Sequence, residues 1–122
     1  MEEGVTKFHR GTLRSGSKII SDGHLVILGD LNPGAIAEAR GNVIILGKVS
    51  GTVHAGYQGD RKAIIAGLNF NPVQLRIADL MAKNPNQGVL ANKKLDRSSG
   101  MEIAYVKSEI ITIDYYDKNL NF

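Results

Sequence analysis

Five carboxylates, Asp22, Asp30, Glu38, Asp60 and Asp79, have the chemical type for general acid–base work. That chemistry needs two such groups held near one reacting bond. These are spread along the chain, so only a coiling fold would bring a pair together. His9, His24 and His54 each stand alone, without the close companion spacing of a metal site. They read as solvated or structural side chains. Gly41–Lys48 has the outline of a phosphate loop, but five residues separate Gly41 from Gly47 where that loop has four. Val49 also stands where Ser or Thr should hold magnesium, so the segment reads as a structural corner. The absence of Cys removes thiol nucleophiles, disulfides and Cys-based zinc sites. No cofactor is expected.

What positions these residues is a repeat. Gly11–Leu28 matches Gly29–Leu46 at an 18-residue step: Gly11 with Gly29, Leu13 with Leu31, Gly16 with Gly34, Gly23 with Gly41, and Leu25–Leu28 with Val43–Leu46. A third copy keeps Gly47, Val49 and Gly59 and takes two extra residues before Ala63–Ala66. Short repeats with glycine at fixed corners and β-branched runs between them predict a solenoid of stacked rungs, a parallel β-helix. Each rung should carry three short strands. In the second strand, Ser17, Ile19 and Ser21 are expected to stack with Ala35, Ala37 and Ala39, then with Val53, Ala55 and Tyr57, one face inward and one outward. Setting Gly67 under Gly47 extends that column to Val73, Leu75 and Ile77, with Gln74 and Arg76 outside.

The third strand breaks the alternation. Leu25, Val26, Ile27 and Leu28, then Val43, Ile44, Ile45 and Leu46, then Ala63 to Ala66 with Ile64 and Ile65, offer no polar residue at either parity. Only alternate residues can face the core, so an apolar stripe must also face outward, larger than a soluble monomer usually tolerates. Loops of the same chain are one cover for it. A second copy of the chain, packed face to face about a two-fold axis, is the favoured one.

Met1–Arg10 reads as a linker, with the first rung opening at Gly11. It is charged and lacks the apolar stretch of a signal peptide, and no run in the chain is long and apolar enough for a membrane-spanning helix. The formal charge of +3 is mild and its cations are scattered, which argues against a nucleic-acid surface. Residues 81–122 are expected to form a loop or short helix followed by two strands, Ile103–Lys107 and Ile110–Asp114, around Ser108–Glu109. Those strands should cap one open end of the solenoid, where a bare edge invites unwanted pairing. Two readings of function follow. One is a non-enzymatic protein that dimerises through the apolar strands; the other is a carbohydrate-active β-helix enzyme using Asp or Glu. Short rungs without long projecting loops build no cleft, which argues against the enzyme.

Several stretches resemble the C-terminal domain of the bacterial septum-site protein MinC. They are Arg10–Ser17, Asp22–Asp30, Asn32–Ala35, Gly41–Gly47, His54–Gly56, Gly59–Arg61 and Gly67–Asp79. The resemblance implies a right-handed, three-sided β-helix that forms a homodimer and docks on the membrane ATPase MinD. It implies a cytoplasmic domain recruited to the inner face of the membrane by MinD, positioning inhibition of FtsZ assembly and septum formation, directly or through an N-terminal inhibitory domain not found in these residues. The family's MinD-docking motif is Arg-Ser-Gly-Gln. Arg14, Ser15 and Gly16 match it, Ser17 replaces the Gln, and Gly34 is carried over as the corner of the next rung. A hydroxyl at Ser17 offers a shorter reach than the amide's separate donor and acceptor.

Overall fold

The computed structural model describes residues 5–83 and 100–120, and among these it contains eleven strands and no helix. In chain order they are β1 (Thr6–Arg10), β2 (Lys18–Ser21), β3 (His24–Leu28), β4 (Ile36–Ala39), β5 (Val43–Val49), β6 (Thr52–Ala55), β7 (Ile65–Phe70), β8 (Gln74–Ile77), β9 (Leu80–Lys83), β10 (Glu102–Lys107) and β11 (Ile110–Tyr115). One sheet has the order β1-β3-β5-β7-β10-β11 and the other β2-β4-β6-β8-β9. Within both, strands from successive rungs run parallel, and only β9, β10 and β11 join antiparallel. A narrow column of parallel bridges, Leu13 to Leu31 to Val49, stacks between them. The protein is an all-β solenoid of about four turns.

Period-two alternation explains why these segments stack. Leu25 and Ile27 of β3, Val43 and Ile45 of β5, and Ile65 of β7 point inward and are fully buried. Ala37, Val53, Leu75 and Ile77 fill the opposing side, and Leu13, Leu31 and Val49 close the third column. Gly67 lies in register with Ile45. A Cβ there would come within 2.3 Å of Val49 Cγ2 and 2.8 Å of Phe70 Cε1, so the missing side chain is the space that the Phe70 ring occupies. Below it Glu102 takes the same inward column, and its Oε2 accepts the Phe70 amide at 3.1 Å.

The register of the third rung differs from the sequence expectation. Leu31 pairs with Val49 as expected, but Ala37 pairs with Val53 rather than Ala35, and Val43 pairs with Ile65 rather than Ala63. The steps are therefore 18, 16 and 22 residues: the rung loses two residues at its first corner and gains six at its second. Only part of that difference shows as length in a linear alignment. The fourth rung shifts likewise. Leu75 lies under Val53 and Ile77 under Ala55, while Gly47 falls in a bulge of β5, and Val73 is 51% exposed instead of inward. The outward placement expected of Gln74 and Arg76 holds.

Thr6–Arg10 forms a strand in the segment expected to be a linker, paired in register with His24–Leu28. Leu80–Lys83 pairs antiparallel with β8; the loop or short helix expected after it falls on residues 84–99, outside those described. The two C-terminal strands form as expected. Their turn places Ser108 and Glu109 at φ of 54° and 63°, both left-handed, the backbone of a two-residue hairpin turn whose twist matches that of its strands. The hairpin then closes the edge of β7.

Two outcomes follow from this packing. Ile45→Ala should lower unfolding free energy by about 2–5 kcal/mol, the range for truncating a buried aliphatic side chain, read from the urea midpoint by circular dichroism. Tyr105, whose hydroxyl donates to Asp114 at 2.5 Å in a mostly buried setting, has its phenol pushed up to about 12 by that bond and by burial. Because the folded value lies above the ordinary 10.0, the contribution is complete below that pH and is lost as pH rises toward 12. Absorbance titration should show a late phenolate step that Tyr105→Phe removes.

Candidate docking corner and outer sheet face

Arg14 through Ser17 form a tight turn closed by the Ser17 amide donating to the Arg14 carbonyl at 2.9 Å. Gly16, third in the turn, has φ of +89°, the left-handed value that a type II turn requires there. The next rung repeats the device in Asn32 to Ala35. The Ala35 amide bonds the Asn32 carbonyl at 3.0 Å, Gly34 again has φ of +89°, and Pro33 supplies the fixed φ favoured just before it. The two turns are joined directly, Gly16 N donating to Gly34 O at 3.0 Å. A Cβ on Gly34 would meet Ser15 Oγ at 2.4 Å. The corner of the third rung is where two residues are lost, so it has no matching turn, and Ser50-Gly51 leads straight into β6.

The structure thus brings Arg14, Ser15, Gly16, Ser17 and Gly34 together on one outer edge of the coil. Arg14, Ser15, Gly16 and Gly34 are exposed and Ser17 is half-buried. Leu13 beside them is buried, so the backbone that carries Arg14 is anchored while the guanidinium projects. The chemistry on offer is a charged donor fork, one hydroxyl and turn amides: recognition of carboxylates or carbonyls on a partner.

The carboxylates are dispersed. Asp30 accepts the Lys48 amide at 2.8 Å and Asp60 accepts the Lys62 amide at 2.9 Å. Glu38 lies 3.7 Å from Lys18. Asp79 receives Arg61 Nε at 2.9 Å and Nη2 at 2.7 Å, which holds its carboxyl down at about 2, while Asp22 sits exposed. No two of the five share a hydrogen bond or a cation, which disfavours the glycosidase reading. His24 and His54 are structural. His24 Nδ1 accepts the Asn42 amide at 3.0 Å, and His54 Nε2 lies 3.0 Å from the Ala78 carbonyl. Among the described residues no group of His, Asp or Glu is arranged to hold a metal. Most of Gly41–Lys48 is itself strand β5, not a loop before the helix a phosphate loop requires.

The apolar strands separate by parity. Leu25, Ile27, Val43, Ile45 and Ile65 are core, out of reach of any partner. Val26, Leu28, Ile44 and Ile64 are half-buried on the outer face, and Leu46 is 41% exposed. The chain covers part of this face itself: Ile44 and Ile64 pack with Ala66, Ile103, Tyr105, Met101 and Leu120. Phe8, in register with Val26, remains 63% exposed, and Leu68 is 43% exposed. Sequence reasoning missed Phe8 because its strand has Lys7 and His9 at the inward parity. At the end of the coil no further rung encloses those positions, so they need not be apolar. The alternation of Ile103 and Tyr105 was the available signal for the hairpin's share.

A family profile described as "Septum formation inhibitor MinC, C-terminal domain" matches residues 7–116. The chain is 46% identical over 116 residues to a probable septum site-determining protein MinC of Acetivibrio thermocellus, covering 95% of this chain and 49% of that protein. It is 48% identical over 117 residues to the corresponding protein of Ruminiclostridium cellulolyticum, covering 95% and 48%. The chain spans about half the length of these curated relatives. Among solved structures it is similar to a chain of the "MinC:MinD cell division protein complex" of Aquifex aeolicus, with a TM-score of 0.77 and 30% identity, covering 93% of this chain and 88% of that one.

The two turn glycines should respond differently to alanine. Gly16→Ala meets nothing within 4 Å and should cost only the left-handed backbone penalty of about 1–2 kcal/mol. Gly34→Ala carries the same penalty and also drives into Ser15, so its melting temperature should fall further and Ser15 should be displaced. Equal melting temperatures would show that the stacked corners do not press on each other.

Proposed function

We propose, from the premise that the chain belongs to the family of MinC septum formation inhibitor C-terminal domains, that it is a non-enzymatic adaptor whose Arg14 corner docks on the ATPase MinD. The observation that carries this reading is the exposed, doubly stacked turn, which presents Arg14-Ser15-Gly16 from a rigid support in a chain similar over 93% of its length to one in a MinC:MinD complex. A turn locked by its own ladder loses little freedom when a partner binds, so its contacts are not spent on ordering it. Ser17, whose amide closes the turn, supports the loop more than it reaches out. In this reading MinD brings the domain to the inner face of the membrane, and inhibition of FtsZ assembly is delivered there together with the rest of the protein.

The outer residues Val26, Leu28 and Leu46, with Phe8 and Leu68, form the face on which two copies pair. What supports this is their position on one side of a single sheet, in neighbouring strands and largely uncovered by the hairpin. A two-fold axis through such a face pairs the patch with itself.

Arg14→Ala should weaken co-sedimentation with MinD and ATP on lipid vesicles by about 1–3 kcal/mol, as expected for losing one charged hydrogen-bonding group. Folding and dimerisation should be unchanged. Binding equal to wild type would remove Arg14 from the site, and an unfolded variant would make the motif structural. Val26→Asp should give a folded monomer in analytical ultracentrifugation, whereas Ile45→Asp should not fold; a wild-type monomer at micromolar concentration would refute the paired face.

A further inference from the structure

A coil of stacked rungs is open at its ends, where the first strands have a neighbour on one side only. Among the described residues β1 and β2 are the outermost strands of their sheets. The bonds of β2 fix which of its backbone groups are left over. The Ile36 amide donates to the Ser17 carbonyl and the Arg40 amide to the Ser21 carbonyl. Carbonyls alternate along a strand, so those of this parity face β4 and the Ile20 carbonyl faces the open edge. A row of such outward groups is a template on which another strand can form. Aliphatic surface lies beside it: Val5 is 79% exposed and Ile20 44% exposed.

One side chain occupies this edge. An inward column of the first sheet reads Lys7, Leu25, Val43 and Ile65 in register, aliphatic and fully buried in every rung except the first. The next inward column begins in the same way, with His9 in register with Ile27 and then Ile45. Lys7 crosses the end of the coil from one sheet to the other, and its Nζ donates to the Ile20 carbonyl at 2.8 Å. With Val5, Ile20, Ser21 and Asp22 it lines a depression of about 370 Å³, open to solvent. The ammonium thus sits on a backbone acceptor that any strand added to β2 would use. A lysine at an inward position of a terminal strand is one of the devices by which sheets avoid joining edge to edge.

We propose that Lys7 is an end guard: its ammonium holds the outward carbonyl of Ile20 and keeps a second copy of the chain from adding its own first rung there, strand on strand. Two such ends meeting about a two-fold axis at this edge would set β2 antiparallel to β2 of the other copy and carry the second sheet across both molecules. Both Lys7 ammonium groups would be crowded into that seam as water leaves it, which like charges and buried charges resist. The edge is a different surface from the paired outer face, so the two contacts are independent. The Arg14 corner belongs to the same rung, and the guard keeps it clear of a stacked copy.

The test is sedimentation velocity of the 122-residue chain at micromolar concentration, read against the mass of the wild type. Lys7→Val continues the aliphatic column to the end of the coil and should add a species of about twice the wild-type mass, increasing with concentration. Lys7→Met keeps the length of the stem and loses only the ammonium, which spares the packing of the rung, and it should associate likewise. Val5→Lys, added to the Lys7→Val chain, restores a charge beside the same edge and should return the mass to the wild-type value. Lys62→Val makes the same exchange at an exposed position of the third rung and should leave the mass unchanged. Wild-type mass in both Lys7 variants overturns the proposal. So does equal growth in the Lys62 variant, because added surface apolarity alone would then explain it. Growth that Val5→Lys fails to reverse overturns it too, since the contact would then lie away from this edge.

Discussion

No strand of the coil completes its own hydrogen bonding; each is finished by the equivalent strand one rung away. The Leu25 amide bonds the Asn42 carbonyl, the Val43 amide the Ile64 carbonyl, and the Leu31 amide the Lys48 carbonyl, all at 2.9–3.0 Å. Stability therefore passes from neighbour to neighbour, as in other stacked repeats. At the corners, where backbone pairing fails, side chains take over. Asp30 accepts the Lys48 amide, His24 the Asn42 amide, and Asn42 in turn the Ile64 amide at 2.8 Å. These polar groups look like candidate chemistry in the sequence because they are acids, amides and imidazoles. Their lone pairs are occupied in holding rungs together.

That substitution explains how much was legible. Glycine spacing and apolar runs betray a stacked coil, because both follow from backbone demands repeated at each level. The first two rungs are read correctly to the residue, Ile19 pairing with Ala37 and Leu25 with Val43. The third is misread because a deletion at one corner and an insertion at the next partly cancel, and a pattern of periods records only their sum. The sequence period puts Val73 and Tyr57 in the inward column for this reason. Thr6–Arg10 escaped notice for another: a terminal rung has only one neighbour, so its inward positions carry Lys7 and His9 and no alternation marks the strand.

The site was legible in a different way. Arg14 and its glycine could be named from their motif, and the geometry adds the reason for the setting: Gly34 lies beneath, too close to Ser15 for any side chain. The outer apolar residues could be counted but not assigned to a side, since parity is invisible when both parities are apolar. Burial divides them, and the hairpin uses Ile103 and Tyr105 to cover part of what the rungs leave open.

The third rung's long corner has a consequence for how such a chain tolerates change in length. Six added residues there leave the ladders on either side intact: Ala37 still meets Val53 and Val43 still meets Ile65. A single residue inserted inside β5 would instead exchange the inward and outward faces of everything beyond it. Closing a longer loop costs little, since the entropy grows only with the logarithm of its length. The exposed tip at Gln58-Gly59 is therefore the natural seat for a grafted peptide, and the place where indels would drift in a lineage without disturbing either the docking corner or the core.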